Sequence, residues 1–249
     1  MTKNRTFFYK FFKWIFILTV TLSFCAAIAG YFAFQKYKHE LPGIKQLQNI
    51  EYQIPLSIYS HDEVLLAQFG EKKRTPISID AAPKQLINAF LAAEDGNFYS
   101  HPGVDFKGLL RAGIQLLLTG KKKQGGSTIT MQVTRNFLLS REKTYKRKIK
   151  EIILALRIEQ KYSKAKILEL YLNKIYLGHR SYGVAAAAST YYGKDLSELD
   201  LAQQAMIAGL PKAPSSLNPL TNPKRAFQRR NYVLRRMQEL NFITKAEFN

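Results

Sequence analysis

A chain of 249 residues with 46% hydrophobic and 12% aromatic content can bury the core of one sizeable domain plus an appendage, which excludes a disordered polymer. Its formal net charge of +20 calls for an anionic partner: nucleic acid, an anionic membrane surface or a phosphorylated substrate. The single cysteine, Cys25, excludes an internal disulfide.

Residues 1–13 form a basic tail carrying Lys3, Arg5, Lys10 and Lys13 and no acid. Residues 14–34, WIFILTVTLSFCAAIAGYFAF, then run for 21 positions without a charge. About 20 apolar residues span a bilayer, and a signal-peptide core is roughly 7 to 15, so the stretch reads as a transmembrane anchor. Ala27-Ile28-Ala29 resembles a cleavage site, and Leu22 to Cys25 is a poor lipoprotein-like match with a bulky Phe24; the length favours an uncleaved helix. The basic tail holds the N-terminus in the cytoplasm, which puts everything beyond about residue 35 on the extracytoplasmic side of the cytoplasmic (inner) membrane. A translocated domain does not meet the genome, and no helix-turn-helix or zinc-finger spacing is present, so no nucleic-acid partner is expected. Membrane lipid head groups and a phosphate-bearing lipid remain.

In the juxtamembrane region, 35–80, residues 54–69 give the best strand-turn-strand signal, with His61-Asp62-Glu63 as the turn. A helix is expected from about Pro83, with Leu86, Ile87, Phe90 and Leu91 as its apolar stripe. Glu94 falls four residues after Phe90 and seven after Ile87, so the stripe ends in a carboxylate. A carboxylate at the edge of an apolar face is partly desolvated, and its raised pKa makes it a better proton acceptor. The plainer alternative is that the acids of AAEDGNFYSHPG, 92–103, are solvated near a turn and that His101 is a cap. Residues 105–120 predict a helix with Asp105 as cap and Gly120 as stop. Its Leu109, Leu110, Ile114 and Leu116 to Leu118 exceed one core-facing stripe. Two readings stay open, a fully buried helix or one that dips into the outer membrane surface.

Between 121 and 150 stand ten basic residues, among them Lys121, Lys122, Lys123, Arg141 and Lys143, against one acid, Glu142. They enclose QGGSTITMQVTRN, 124–136, whose glycine pair, hydroxyls and amides can present donors to an anion. The following helix, RKIKEIILALRIEQ, sets Arg147, Lys148 and Glu151 on one face. That spacing gives either a simple intrahelical ion pair, worth about 0.2–0.5 kcal/mol, or a second carboxylate held among cations beside an anion site.

Two acids and a cationic pocket outside the membrane suggest sugar chemistry with a phosphate leaving group. Glycoside hydrolysis needs one carboxylic acid for the leaving oxygen and a second carboxylate for water or attack. A pyrophosphate leaves without a proton when cations neutralise its charge, so one carboxylate suffices as base on an acceptor hydroxyl. The charge ratio favours transfer over hydrolysis.

The chain resembles the peptidoglycan glycosyltransferase domain of class A penicillin-binding proteins and their monofunctional relatives. The likeness is carried, in order, by EDGNFYSHPG at 94–103, GGSTITMQVTRN, Arg147-Lys148 with Glu151, the stretch from Asn173 through Gly178 and Gly183 to YYGK at 191–194, and AMIAGLPKAPSSLNP at 205–219. It implies a mainly α, lysozyme-like fold with a small β-hairpin region, and polymerisation of lipid II into β-1,4-linked glycan with release of undecaprenyl pyrophosphate. It implies that Glu94 is the catalytic base on the acceptor 4-hydroxyl, in an inverting reaction, and that Glu151 is the second catalytic glutamate, assisting at the donor pyrophosphate. Asp95, Phe98, His101, Ser127, Thr128, Gln132, Arg135, Asn136, Arg147 and Lys148 match positions that bind substrate or shape the site. Met131, Arg135 and Gln204 depart from the usual glutamine, lysine and glutamate; at Arg135 a planar fork replaces a point charge. No cofactor is required by the resemblance, although a divalent cation (Mg or Mn) often assists family members; no metal-ligand spacing occurs here. Expected partners are lipid II, the growing glycan strand, membrane head groups and other cell-wall synthesis proteins. A lytic, lysozyme-like hydrolase and a catalytically silent anchored scaffold are the alternatives.

The catalytic domain is expected to span 81–222, followed by a helix over 229–240 within a segment, 223–249, that leads toward a transpeptidase domain. Thr244-Lys245-Ala246-Glu247 reads as a capping box that starts another helix. Ser140 to Lys143 and Ser216 to Asn218 spell two transpeptidase motifs by chance, and no Lys-Thr-Gly accompanies them, so this chain is expected to take no covalent label from a fluorescent penicillin.

Overall fold

The computed structural model describes residues 2–120, 126–140, 142 and 144–248. Lys121 to Lys123, Gln124, Gly125, Arg141 and Lys143 of the basic run therefore lie outside the described residues. The described residues are mainly helical, as expected, with one two-stranded sheet among them.

Helix α1 (Thr2–Tyr37) contains a stretch, Lys10–Tyr37, that is long and apolar enough to cross a membrane, with a mean hydropathy of 2.1. Two short 3-10 turns, Lys38–Glu40 and Ile44–Leu47, follow, and Leu47 drops into the core. The expected hairpin is strands β1 (Leu56–Tyr59) and β2 (Leu65–Phe69), antiparallel, pairing Leu56 with Phe69 and Ile58 with Ala67. Its reversal falls on the predicted turn, where Glu63 takes a positive φ of 60°.

Among the described residues, α2 (Lys84–Glu94), α4 (Ile129–Leu138), α6 (Lys164–Lys174), α8 (Leu201–Gly209) and α9 (Pro223–Glu239) supply most of the main core, joined by Ile158, Val184, Ala187 and Ala188. Helix α2 starts one residue past Pro83 and buries Leu86, Phe90 and Leu91. Phe90 packs edge-on against the fully buried Tyr171 of α6, ring centroids 5.9 Å apart. Side chains of this size contribute about 1.5–3 kcal/mol each on full burial. Helix α5 (Tyr145–Lys161) lies against α4 and buries Leu154, Ala155 and Ile158. The turn after α2 fits closely on α5 because Gly103, at φ +94°, has no Cβ; one would meet the Ala155 carbonyl oxygen at 2.8 Å.

Helix α3 (Phe106–Thr119) departs from one of its two readings. Asp105 caps it, accepting from the Gly108 N–H at 2.8 Å, and Gly120 ends it at φ +63°, but none of its described side chains is buried. Leu109 alone packs, partly buried, on the small cluster of Val104, Met131 and Ala155, while Leu117 and Leu118 are 87% and 81% exposed. The fully buried helix is thus overturned: its apolar surplus faces outward, away from the core.

Helix α9 starts earlier than the helix expected over 229–240 and contributes to the core. Pro223 at its first turn begins it six residues before Arg229, and Ala226, Val233 and Met237 bury one face against α8 and α2. Helix α7 (Val184–Tyr192) and a C-terminal turn α10 (Lys245–Phe248) complete the fold. At the latter the predicted box forms: Glu247 accepts from the Thr244 N–H at 2.7 Å, and Thr244 Oγ1 accepts from the Glu247 N–H at 3.2 Å.

Candidate active site

Glu94 is the last residue of α2, where the apolar stripe gives out. Its side chain is 14% exposed. Oε2 accepts from Gln132 Nε2 at 2.9 Å, and Oε1 lies 3.7 Å from Arg229 Nη2 on α9. Burial pushes the Glu94 carboxyl above its ordinary value, opposed by the Gln132 bond and by the charges of Arg229, Arg135 and Lys212. The balance leaves a carboxylate that is costly to ionise and ready to accept a proton.

Asp95, one residue on, has a different occupation. Its carboxylate accepts from His101 Nε2 at 2.9 and 3.0 Å and from the Ile129 N–H at 2.9 Å, at the N-terminus of α4 where negative charge is favoured. The Gly103 N–H donates to His101 Nδ1 at 3.1 Å, which leaves Nε2 as the protonated nitrogen. Thr128 caps α4, accepting from the Met131 N–H, and donates to the Gly103 carbonyl at 2.6 Å. Asp95, His101 and Thr128 therefore knit the turn after α2 to the start of α4. Phe98 is 1% exposed beneath them, with the Lys164 ammonium 4.5 Å from its ring centroid.

On α5, Glu151 is fully buried and holds two cations: Arg147 Nη1 at 2.5 Å and Lys148 Nζ at 3.1 Å. Lys148 also donates to Ser127 Oγ at 2.8 Å, and Arg147 to the Glu142 carbonyl. Burial pulls the Lys148 ammonium below its usual range, with Glu151 working against that. The spacing that admitted a weak surface pair has produced a buried network, and breaking such a network by removing one partner costs about 3–5 kcal/mol.

A cleft of about 510 Å³ runs between α2, α3, α4 and α9. Of the sequence-predicted residues it brings together Glu94, Asp95, Ser127, Thr128, Gln132 and Arg135; Lys148 reaches its edge through Ser127, with Glu151 and Arg147 behind. Phe98, His101 and Asn136 do not line it. Met131 is a fully buried core residue, and Gln204 is buried and donates to the Leu199 carbonyl at 2.7 Å, so these two departures fall on packing positions. Sequence reasoning missed Arg111, Lys212, Arg229, Tyr232 and Arg236, which line the same cleft. Arg229, Tyr232 and Arg236 share a helix face at three- and four-residue spacing, the signal that had picked out Arg147, Lys148 and Glu151. Among the described residues, no group of three or more His, Cys, Asp or Glu side chains is placed to hold a metal ion.

A desolvated carboxylate facing a cleft whose remaining charged walls are mostly cations, on a helical body with an apolar N-terminal helix, suits a proton acceptor beside an anionic, membrane-bound substrate. Residues 62–238 match the transglycosylase family, and the chain belongs to that family. It is 50% identical over 237 residues to penicillin-binding protein 1A of Pseudomonas aeruginosa, covering 95% of this chain and 29% of that one. It is 50% identical over 240 residues to penicillin-binding protein 1A of Escherichia coli K12, covering 96% and 28%. Against the crystal structure of penicillin-binding protein 1A from Haemophilus influenzae it shows 36% identity and a TM-score of 0.45 over 80% of this chain and 20% of that one. The chain spans less than a third of the length of these curated relatives.

Proposed function

We propose that this domain polymerises lipid II into β-1,4-linked glycan strands for the cell wall. Glu94 removes the proton from the acceptor 4-hydroxyl as that oxygen attacks the donor's anomeric carbon from the face opposite the leaving group. The C–O bond to undecaprenyl pyrophosphate breaks with inversion, and the leaving group departs as an anion whose charge is met by cations rather than by a proton. Arg147, Lys148 and Arg135 serve the donor pyrophosphate, with Ser127 as a short polar donor between them; Glu151 holds the first two in place. The observation that carries the reading is Glu94 itself: nearly desolvated, yet open to a cleft with Arg135, Lys212 and Arg229 on its walls.

A hydrolase of the lysozyme kind is disfavoured by the same geometry. It needs a second carboxyl free to act beside the first, whereas Glu151 is bound by two cations. The reaction needs no cofactor in this account, and a divalent cation assists only by screening the pyrophosphate. The apolar face of α3 and helix α1 both suit a membrane-bound substrate, with the N-terminus in the cytoplasm, the catalytic body outside, and membrane head groups and cell-wall synthesis proteins as neighbours. The test is polymer formation from purified lipid II. Wild type should yield glycan and undecaprenyl pyrophosphate, and Glu94→Gln should yield neither; release of sugar from finished peptidoglycan without lipid II would instead establish the hydrolase.

A further inference from the structure

The first six residues of α5, 145–150, contain no buried residue, and Tyr145 is 93% exposed; core packing begins at Glu151. Yet this segment carries Arg147 and Lys148. Continuity with the packed part of α5 sets its direction, and polar contacts outside the core are left to keep these first turns from fraying. On one side Lys148 is tied to Ser127 and Glu151. On the other the end of the apolar helix takes hold: Glu40 Oε2 lies 2.7 Å from Lys150 Nζ and 2.9 Å from Lys146 Nζ. The same two ammonium groups stand 5.9 and 5.7 Å from the Tyr37 ring centroid. Two turns further along α5, the Arg157 guanidinium lies 5.5 Å from the Phe34 ring. Lys146, Lys150 and Arg157 share one face of α5, adjacent to the face of Arg147 and Glu151. A cavity of about 500 Å³ at this junction is lined by both Glu40 and Arg147, so anchor exit and donor-side cation border one space. Hydrogen bonds from Lys150 and Lys146 hold the Glu40 carboxyl down at about 2, so the clamp stays charged across any working pH.

We infer that Glu40 and Tyr37 are positioning residues that aim the first turns of α5, and with them Arg147 and Lys148, at the donor. The anchor then braces the donor-side cations from behind the cleft as well as tethering the domain. The ion contacts hold α5 from the anchor side while Ser127 and Glu151 hold it from the cleft side. Loss of the anchor-side contacts lets these first turns fray and lowers the fraction of time in which the cations meet the leaving group. This inference rests on the reading that Arg147 and Lys148 serve the donor.

The test uses the full chain in proteoliposomes with lipid II, measuring kcat, KM and melting temperature for Glu40→Lys, for Glu40→Asp, for the swap Glu40→Lys with Lys146→Glu and Lys150→Glu, and for Arg147→Ala. The expected result is a kcat about fivefold lower for Glu40→Lys at unchanged melting temperature, near-normal turnover for Glu40→Asp, and recovery of most of the loss in the swap. Wild-type turnover in Glu40→Lys while Arg147→Ala is impaired would overturn the clamp and leave the donor reading standing. Wild-type turnover in Arg147→Ala would remove the donor reading and the clamp together. A loss in Glu40→Lys that the swap does not recover would overturn the clamp as an electrostatic device.

Discussion

Glu94 and Glu151 are two glutamates of one site in opposite surroundings. Glu94 ends a helix, receives one hydrogen bond from a neutral amide, and has its guanidinium neighbour at 3.7 Å, beyond hydrogen-bond reach. Glu151 sits inside a helix at zero exposure and touches two cations, at 2.5 and 3.1 Å. The difference separates two duties. A desolvated carboxylate whose nearest cation stands at 3.7 Å, out of hydrogen-bond contact, suits the proposed taking and giving up of a proton. Glu151, in contact with two cations, is placed to fix where those cations point, the role proposed for it here.

Neutralising each acid in turn should separate the two roles. Glu94→Gln should lower polymerisation by about 10²- to 10⁴-fold, the usual cost of a lost general base. The fold should not suffer. A carboxyl whose folded pKa is raised binds its proton more tightly in the native state, so its contribution to stability falls as pH climbs from the ordinary glutamate value through the raised one. At neutral pH the amide should therefore melt no lower than wild type, and the difference between the two should shrink on acidification. Thermal melts at both ends of that range check the sign.

Glu151→Ala should do the reverse, with damage to stability as well as rate. Arg147 and Lys148 would be left partly buried without their acid, which costs about 3 kcal/mol and, for a chain of this size, roughly 10 °C in melting temperature. Denaturant unfolding compared with Glu94→Gln decides whether the two glutamates really differ in kind.

The smallest effect is expected at the periphery. Leu117→Asn with Leu118→Asn on α3 should leave melting unchanged, because both side chains are more than four-fifths exposed, while reducing partition of the catalytic body onto lipid vesicles. A fall of several degrees would mean that α3 is a core element after all.

Much of this was legible in the sequence because it is written locally. The apolar run of α1, the hairpin turn at Glu63, the Asp105 cap and the Thr244–Glu247 box depend on residues a few positions apart, and each formed as read. The position of Glu94 also followed from helical period alone. Other features depend on partners far away in the chain. Asp95 could be seen as an acid beside Glu94, but its bond to the Ile129 N–H spans 34 positions, and nothing nearby announces it. The outward turn of α3 was ambiguous because a surplus of leucines marks a buried helix and a membrane-facing one alike. The packing of helix α9 depends on distant partners too: Val233 and Met237 stand at core spacing and Arg229 on the cleft face, but only α2 and α8 show what those faces meet.

In the proposed reaction Glu94 is a desolvated base whose affinity for a proton is held in check by the cations of the cleft. The rate–pH profile of lipid II polymerisation, measured side by side for wild type and Arg229→Ala, tests it most directly. Glu94 must be ionised to accept the acceptor's proton, so the rate should rise along an acid limb set by its pKa, above the ordinary carboxylate range. Removing the Arg229 charge removes one of the influences that lower that pKa, and the acid limb should move to higher pH. An acid limb at the ordinary carboxylate value, or one that stays in place without Arg229, would contradict the claim.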